Sequence, residues 1–326
     1  MDKKKKVIDI FEKILKFHKT LGKKGNVQTK FRISSYEKIL KKLKSYSKPI
    51  RNVSDVDGIE GIGKSTKEKI DEILKTGKLQ MLDEIEKNPE YKAIYEMLTI
   101  WGIGVEKAQE IVLEKKIYSI PHLKKAFKNK TISLNEQQQK GLEYHQQLSE
   151  RIPRKEITNL TKWIQQKINK FGIEVVNAGS YRLGKKESGD IDLLFVKNNI
   201  KNHTSYAKAE LFQNVIDDLR DIIVYIFSQG HEKLIAIIQN PLTNKIRQMD
   251  ILMIDEKELP WYLLYFGSDK EFSKKIRKIA IEKGYKLSEK GLFDRKSGKR
   301  IDFHPKNEKE IFTFLQIPYI PPSKRI

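Results

Sequence analysis

Asp190 and Asp192 stand in the stretch of this chain best equipped for chemistry, Gly179-Ser180-Tyr181-Arg182-Leu183-Gly184-Lys185-Lys186-Glu187-Ser188-Gly189-Asp190-Ile191-Asp192-Leu193-Leu194-Phe195-Val196. It reads as a Gly-Ser turn, a basic loop, a second glycine and a strand that begins Asp-x-Asp. Side chains alternate faces along a strand, so Asp190 and Asp192 point the same way, about 7 Å apart, while Ile191, Leu193 and Phe195 turn into a core. Two carboxylates on one face can share hard divalent cations, and a pair of such ions about 4 Å apart suits phosphoryl transfer. The Gly-Ser turn adds backbone N–H and hydroxyl donors suited to phosphate oxygens. Asp250, inside the apolar run Gln248-Met249-Asp250-Ile251-Leu252-Met253-Ile254, is the candidate third carboxylate. Asp-x-Asp alone also fits a turn cap or a solvated strand edge. The Gly-Ser turn before it and the apolar run after it favour the chemical reading.

The surrounding pattern supplies elements to hold these residues. Arg151-Ile152-Pro153-Arg154 marks a boundary. After it the spacing predicts a helix over 155–170, a strand over 174–178, a helix over about 207–223, and strands near 234–238 and 246–254. Such alternation suggests a small α/β palm with a mixed sheet. A final small α+β part starts near Leu259, with helices over 270–283 and 308–315 and a basic hairpin, Arg295-Lys296-Ser297-Gly298-Lys299-Arg300, between them.

The first 150 residues read as helical. Val7, Ile10, Phe11, Ile14 and Leu15 recur at helical spacing, with Gly22 as a stop, and Phe31, Tyr36, Ile39, Leu40 and Leu43 define a second amphipathic helix. Gly58-Ile59-Glu60-Gly61-Ile62-Gly63-Lys64 is a glycine turn opening a helix capped by Gly77. Trp101-Gly102-Ile103-Gly104 repeats the device. Both look like helix-hairpin-helix motifs, in which glycines let the backbone approach a phosphate and the helix N-terminus aims N–H groups at it. One such turn is also an ordinary corner between helices; two in one basic chain point to sequence-independent nucleic-acid binding. Ser133-Leu134-Asn135-Glu136 reads as a capping box for a helix ending near Glu150.

The 326 residues carry a net charge of +22 and no cysteine. That excess predicts a polyanionic partner, nucleic acid first and an acidic membrane second. The absence of cysteine excludes disulfides and thiolate zinc sites and fits a reducing, intracellular setting, with nucleus and a viral or cytoplasmic compartment both open. No apolar run approaches membrane-spanning length and no signal peptide is visible. Lys3-Lys4-Lys5-Lys6 reads as a solvated tail, a nuclear signal or a phosphate contact.

Taken in order, the two glycine turns, Arg151–Arg154, the Gly179–Val196 block, Tyr265-Phe266-Gly267-Ser268, Ala280-Ile281-Glu282-Lys283-Gly284-Tyr285 and Tyr319-Ile320-Pro321-Pro322-Ser323 resemble the family X DNA polymerases, most of all the polymerase β type. The resemblance spans almost the whole chain. It implies a lyase-like helical domain over 1–88, a helical DNA-binding subdomain over 89–150, a catalytic palm over 151–258 and a nucleotide-selection subdomain over 259–326. It further implies template-directed DNA synthesis that fills short gaps in base excision repair, with 5′-deoxyribose-phosphate lyase activity. End-joining or template-independent synthesis, and a non-catalytic DNA-end-binding scaffold, are the alternatives.

By the same resemblance Asp190, Asp192 and Asp250 are ligands of two Mg²⁺ ions, with Mn²⁺ as a substitute. Arg151, Ser180, Ser188 and Gly189 match positions that hold a deoxynucleoside triphosphate, and Tyr265 and Phe266 match the aromatic pair at its sugar. Gly61, Gly63, Lys64, Gly102, Gly104, Lys233 and Arg277 match DNA-contacting positions. The carbonyls of Asp57, Ile59 and Ile62, and of Leu98, Ile100 and Ile103, match sites for Na⁺ or K⁺. Lys69 matches the Schiff-base lysine. The implied partners are gapped or nicked DNA with a 5′-phosphate, bound by a monomer without a membrane. Four departures stand out: Leu183 and Gln248 replace arginines, Asp57 replaces a lysine, and Gly267-Ser268-Asp269 replaces Thr-Gly-Ser. Leu183 is expected to remove one clamp on the triphosphate.

Overall fold

A computed structural model describes residues 3–21, 27–198 and 205–325. The chain divides into two compact units, residues 1–145 and 146–326.

The first unit is helical. Lys3–Leu21 form α1 and Val27–Ser45 form α2, and Val7, Phe11, Ile14, Ile39, Leu40 and Leu43 bury the facing stripes of the two. Each such side chain is worth roughly 1.5–3 kcal/mol of burial. The expected stop at Gly22 lies outside the described residues. The lysine run is not a loose tail: it is the first turn of α1, with Lys4 Nζ donating to the Tyr46 carbonyl. Lys64–Thr76 form α3, closed by Gly77 at φ 71°, a left-handed cap that suits glycine. Gln80–Lys87 (α4) completes this core through Leu82 and Ile85. A second cluster, which includes Ile94, Met97, Ile111 and Leu142, joins Pro89–Met97 (α5), Val105–Gln109 (α6), Ile120–Lys128 (α7) and Glu136–Glu143 (α8). The box that starts α8 lies two residues later than the sequence pattern suggests. Asn135 Oδ1 accepts from Gln138 N–H at 2.9 Å and Gln138 Oε1 accepts from Asn135 N–H at 3.1 Å. The expected long helix breaks at Tyr144, and the division between the units falls in the short α9, His145–Ser149.

The second unit holds a mixed five-stranded sheet. Its strands are Glu174–Asn177 (β2), Ile191–Lys197 (β4), Ile223–Gln229 (β5), Lys233–Gln239 (β6) and Ile246–Asp255 (β7), in the order β2-β4-β7-β6-β5. Ile152–Pro153 (β1) pairs separately with Glu187–Ser188 (β3). Arg154–Lys167 (α10) and Ser205–Asp218 (α12) contribute Leu160, Ile164, Phe212 and Val215 to the core that covers Ile191, Leu193, Phe195, Met249, Ile251 and Met253. The other face of the same strands is also partly dry: Leu194, Val196 and Ile254 cluster with Ala178 and Tyr262. Sequence spacing carried the helix predicted from about 207 on to 223. The chain instead leaves the helix at Asp218 and enters edge strand β5, whose apolar residues continue the helical stripe and mask the change of period.

Leu259–Phe266 (α13), Lys270–Glu282 (α14), the hairpin Tyr285–Ser288 (β8) with Gly291–Asp294 (β9), and Glu308–Phe314 (α15) share a further core of Trp261, Ile276, Leu292, Ile311 and Phe312. Asp269 starts α14 by accepting from Phe272 N–H at 2.7 Å.

Candidate active site

Strands β4 and β7 run parallel, and Asp192 pairs in register with Asp250. Register fixes faces, so the two carboxylates project to the same side of the sheet. Asp190 immediately precedes β4. Burial pushes the Asp192 carboxyl up to about 7, with Asp190 and Asp250 adding repulsion and Lys233 opposing it. Asp250 is also raised, first by burial and then by Asp190, against a hydrogen bond from Gln248 and the charge of Lys233. Gln248 Nε2 donates to Asp250 Oδ1 at 3.0 Å. The residue that departs from the family pattern thus holds the carboxylate with a neutral donor. Its position two residues before Asp250 on one strand face was the readable signal.

Gly179, at φ 52°, opens the four-residue helix α11, Gly179–Arg182. A Cβ at Gly179 would lie 1.8 Å from Asp192 Oδ2, so the carboxylate occupies space that only glycine leaves. Ser180 Oγ donates to Ser188 Oγ at 2.7 Å. Ser188 is placed by the β1–β3 pairing, opposite Ile152. Arg151 is exposed and lies beside the same strand, its Nε 3.1 Å from Glu187 Oε1 and its Nη1 3.1 Å from where a Gly189 Cβ would stand. Arg151, Ser180, Ser188 and Gly189 therefore gather around one short strand pair.

Leu183 does not face outward from this loop; it is only 6% exposed. The apolar side chain packs inward and offers no cation to a phosphate from this position. The neighbouring Arg182 is already engaged, paired with Glu308 on α15, which also pairs with Arg325. Gly267 makes room for that link, since a Cβ there would lie 2.5 Å from Arg182 Cδ. This network was not readable from spacing.

Tyr265 and Phe266 end α13 with ring centroids 5.0 Å apart, and the Arg277 guanidinium lies 5.6 Å from the Tyr265 ring centre. Phe266 lines one cavity with Asp192, Asp250, Lys233 and Ala178. Lys233, expected only as a DNA contact, stands beside the carboxylates.

The donor set fits hard divalent cations: oxygen ligands collected where burial penalises their charge. Among the described residues no three Asp, Glu or His side chains close into a finished metal cage.

In the first unit, Gly61 and Gly102 adopt φ 87° and 82°, and Gly63 and Gly104 share ψ 177° as the caps of α3 and α6. Ile62 N–H donates to the Ile59 carbonyl, and Ile103 N–H to the Ile100 carbonyl, each at 3.1 Å. These carbonyls, with those of Asp57, Ile62, Leu98 and Ile103, lie in the two turns. Lys64 is exposed at the first turn of α3. Lys69 Nζ donates to Ser65 Oγ at 2.7 Å, while Asp57 pairs with Lys67 at 2.8 Å.

Paired aspartates on adjacent parallel strands, met by a Gly-Ser turn, make this sheet a nucleotidyltransferase palm. Comparison with known families agrees: a helix-hairpin-helix domain matches residues 2–79, a DNA polymerase beta palm matches 151–256, and a DNA polymerase beta thumb matches 262–326. The chain belongs to the family X DNA polymerases. It is 28% identical over 324 residues to DNA polymerase lambda of Rattus norvegicus, covering 94% of this chain and 54% of the relative. It is 26% identical to DNA polymerase lambda of Arabidopsis thaliana, covering 99% and 62%. To DNA-directed DNA/RNA polymerase mu of Homo sapiens it is 24% identical, covering 93% and 65%. The chain thus spans between about half and two thirds of the length of these relatives.

Proposed function

We propose that this chain is a template-directed DNA polymerase that fills short gaps during DNA repair inside the cell. The observation that carries the reading is the in-register pair Asp192 and Asp250, with Asp190 beside them and Gly179 shaped to admit one carboxylate. Nucleotide addition joins the primer 3′-oxygen to the α-phosphorus of a deoxynucleoside triphosphate and releases pyrophosphate. Asp190, Asp192 and Asp250 would hold two Mg²⁺ or Mn²⁺ ions. Such ions neutralise triphosphate charge and make the 3′-hydroxyl more acidic. Ser180, Ser188, the Gly189 N–H and Arg151 receive the triphosphate oxygens, with Glu187 holding Arg151 in place. Tyr265 and Phe266 flank the sugar, and Arg277 supports the template in the nascent pair. Gln248 orients Asp250, and Lys233 tempers the carboxylate charge as well as touching DNA.

The turns at Gly61–Gly63–Lys64 and Gly102–Gly104 grip the phosphate backbone, with Na⁺ or K⁺ on their carbonyls. The substrate is gapped or nicked DNA with a 5′-phosphate, bound by a monomer. No helix among the described residues is long and apolar enough to cross a membrane. The test is primer extension on gapped, recessed and single-stranded substrates of one sequence. The reading expects templated addition, with the gap bound more tightly than the recessed end. Untemplated addition to single strands at equal rate contradicts it.

Lys69 is the proposed lyase nucleophile, attacking the aldehyde of a 5′-deoxyribose phosphate. Ser65 positions its amine, and Lys67 occupies Asp57, keeping that acid from Lys69. Borohydride trapping on incised abasic DNA should give an adduct with wild type that Lys69→Ala loses, while gap filling persists. No adduct with wild type would leave this domain a phosphate clamp alone.

A further inference from the structure

The turn between β9 and Ile301 has no part in the site above. All six residues of Arg295-Lys296-Ser297-Gly298-Lys299-Arg300 are exposed. The turn is nonetheless firmly built. The Asp294 carboxylate accepts from Lys296 N–H at 3.1 Å, Ser297 N–H at 2.7 Å and the Ser297 hydroxyl at 2.7 Å. Gly298 sits at φ 68°, its N–H donates to the Asp294 carbonyl at 2.9 Å, and Asp294 N–H donates to the Lys299 carbonyl at 2.8 Å. Both flanks are tied down, by Arg295 N–H to the Gly284 carbonyl and Ile301 N–H to the Leu292 carbonyl.

The one acid of this turn is therefore occupied by the turn's own donors. Arg300 lies against Gly291, its Nε 3.1 Å from where a Cβ would stand. That leaves Arg295, Lys296 and Lys299 displayed on a fixed frame, with no ion pair to any of them among the described residues. Some lysines of this unit do meet carboxylates, as Lys170 meets Asp218 and Lys208 meets Glu232. Three cations on one fixed turn, of which only Lys296 feels the Asp294 charge, suit a partner with regularly spaced single negative charges, and they offer nothing that would read base edges.

We propose that this turn is a DNA-backbone contact of the second unit, separate from the glycine turns of the first unit and from the carboxylate site. The choice of DNA as the polyanion rests on the polymerase reading. The turn adds affinity without sequence preference and makes binding steeper in salt.

The experiment is a salt titration of binding by the full chain to gapped duplex, without nucleotide or divalent metal. Removing one phosphate-neutralising cation should make the slope of log K against log salt shallower by roughly 0.9. Arg295→Ala/Lys296→Ala/Lys299→Ala should lower the slope by about two to three and weaken binding on the order of tenfold or more near 0.1 M salt, equally on unrelated sequences. The comparison variant is Lys155→Ala/Lys162→Ala/Arg220→Ala. It removes the same charge from exposed positions of the same unit and should change the slope by less than about one. Equal slopes for the two triple variants would overturn the proposal, leaving only diffuse charge. A hairpin variant with the wild-type slope would overturn it also. Because no nucleotide is added, a failure of the polymerase reading would appear in extension assays and not here.

Discussion

The glycine turns of the two units look alike in sequence and do different things with the space a missing side chain leaves. At Gly58, Gly61, Gly63 and Gly104 an added Cβ would meet nothing within 4 Å, so the main chain lies open to whatever approaches from outside. At Gly179 the space is filled from within, by Asp192 Oδ2. On the proposed function, recognition in the first unit is main-chain work at an open surface. In the second it depends on side chains held by register, by Gln248 and by the β1–β3 pairing. If that function holds, binding DNA and transforming it are separable, and damage to one unit should not mimic damage to the other.

Gly179→Ala should break that contrast most visibly. It displaces Asp192 without removing a carboxylate, and a misplacement of about 1 Å at a reacting centre costs on the order of a hundredfold in rate. Single-turnover extension should fall by that order while the dissociation constant for gapped DNA stays within about twofold of wild type, well under 1 kcal/mol. A parallel loss of DNA affinity would show that the two functions are not separable.

Gly141→Ala is the next in size and acts on the fold of the first unit. A Cβ there would stand 2.0 Å from the Trp101 carbonyl oxygen, a main-chain neighbour with little freedom to yield. Overpacking of this kind costs up to about 3 kcal/mol. Hydrogen exchange should quicken across residues 93–142, with the palm sheet unchanged.

The smallest expected effect separates the two turns of the first unit from each other. Gly61 and Gly102 share a positive φ, but only Gly102 is overlain: a Cβ there would lie 3.2 Å from Gln137 Cγ and 3.3 Å from the Gln138 nitrogen. Both alanine variants carry the backbone strain of about 1–2 kcal/mol, and Gly102→Ala should lose roughly 1 kcal/mol more in urea denaturation. Equal losses would mean that α8 retreats freely from the second turn.

Much of this was legible because it is local. The alternation Asp190-Ile191-Asp192-Leu193 gives both the carboxylate face and the core face, and Gly77 and Asp269 announce helix ends by residue type alone. What failed to show was carried by distant pairing. Nothing near Asp192 states that it will meet Asp250 in register; that follows from how β4 and β7 share a core of Phe195, Ile251 and Met253. Leu183 was readable as an odd residue in a polar loop, but its burial was not. The link from Arg182 to Glu308 joins residues 126 positions apart. Edge strand β5 was lost because its apolar residues prolong the helical stripe before them.

The central claim is that the aspartates of β4 and β7 add the nucleotide the template specifies. The most direct measurement offers each of the four deoxynucleoside triphosphates in turn to a one-nucleotide gap, with each template base, for wild type and Asp192→Ala. DNA binding is measured on the same preparations. The account predicts addition of the complementary nucleotide by wild type. It also predicts a loss on the order of a thousandfold or more in Asp192→Ala, equivalent to about 4 kcal/mol of transition-state stabilisation, with binding retained. Extension by Asp192→Ala at near the wild-type rate, or addition by wild type regardless of the template base, would contradict it.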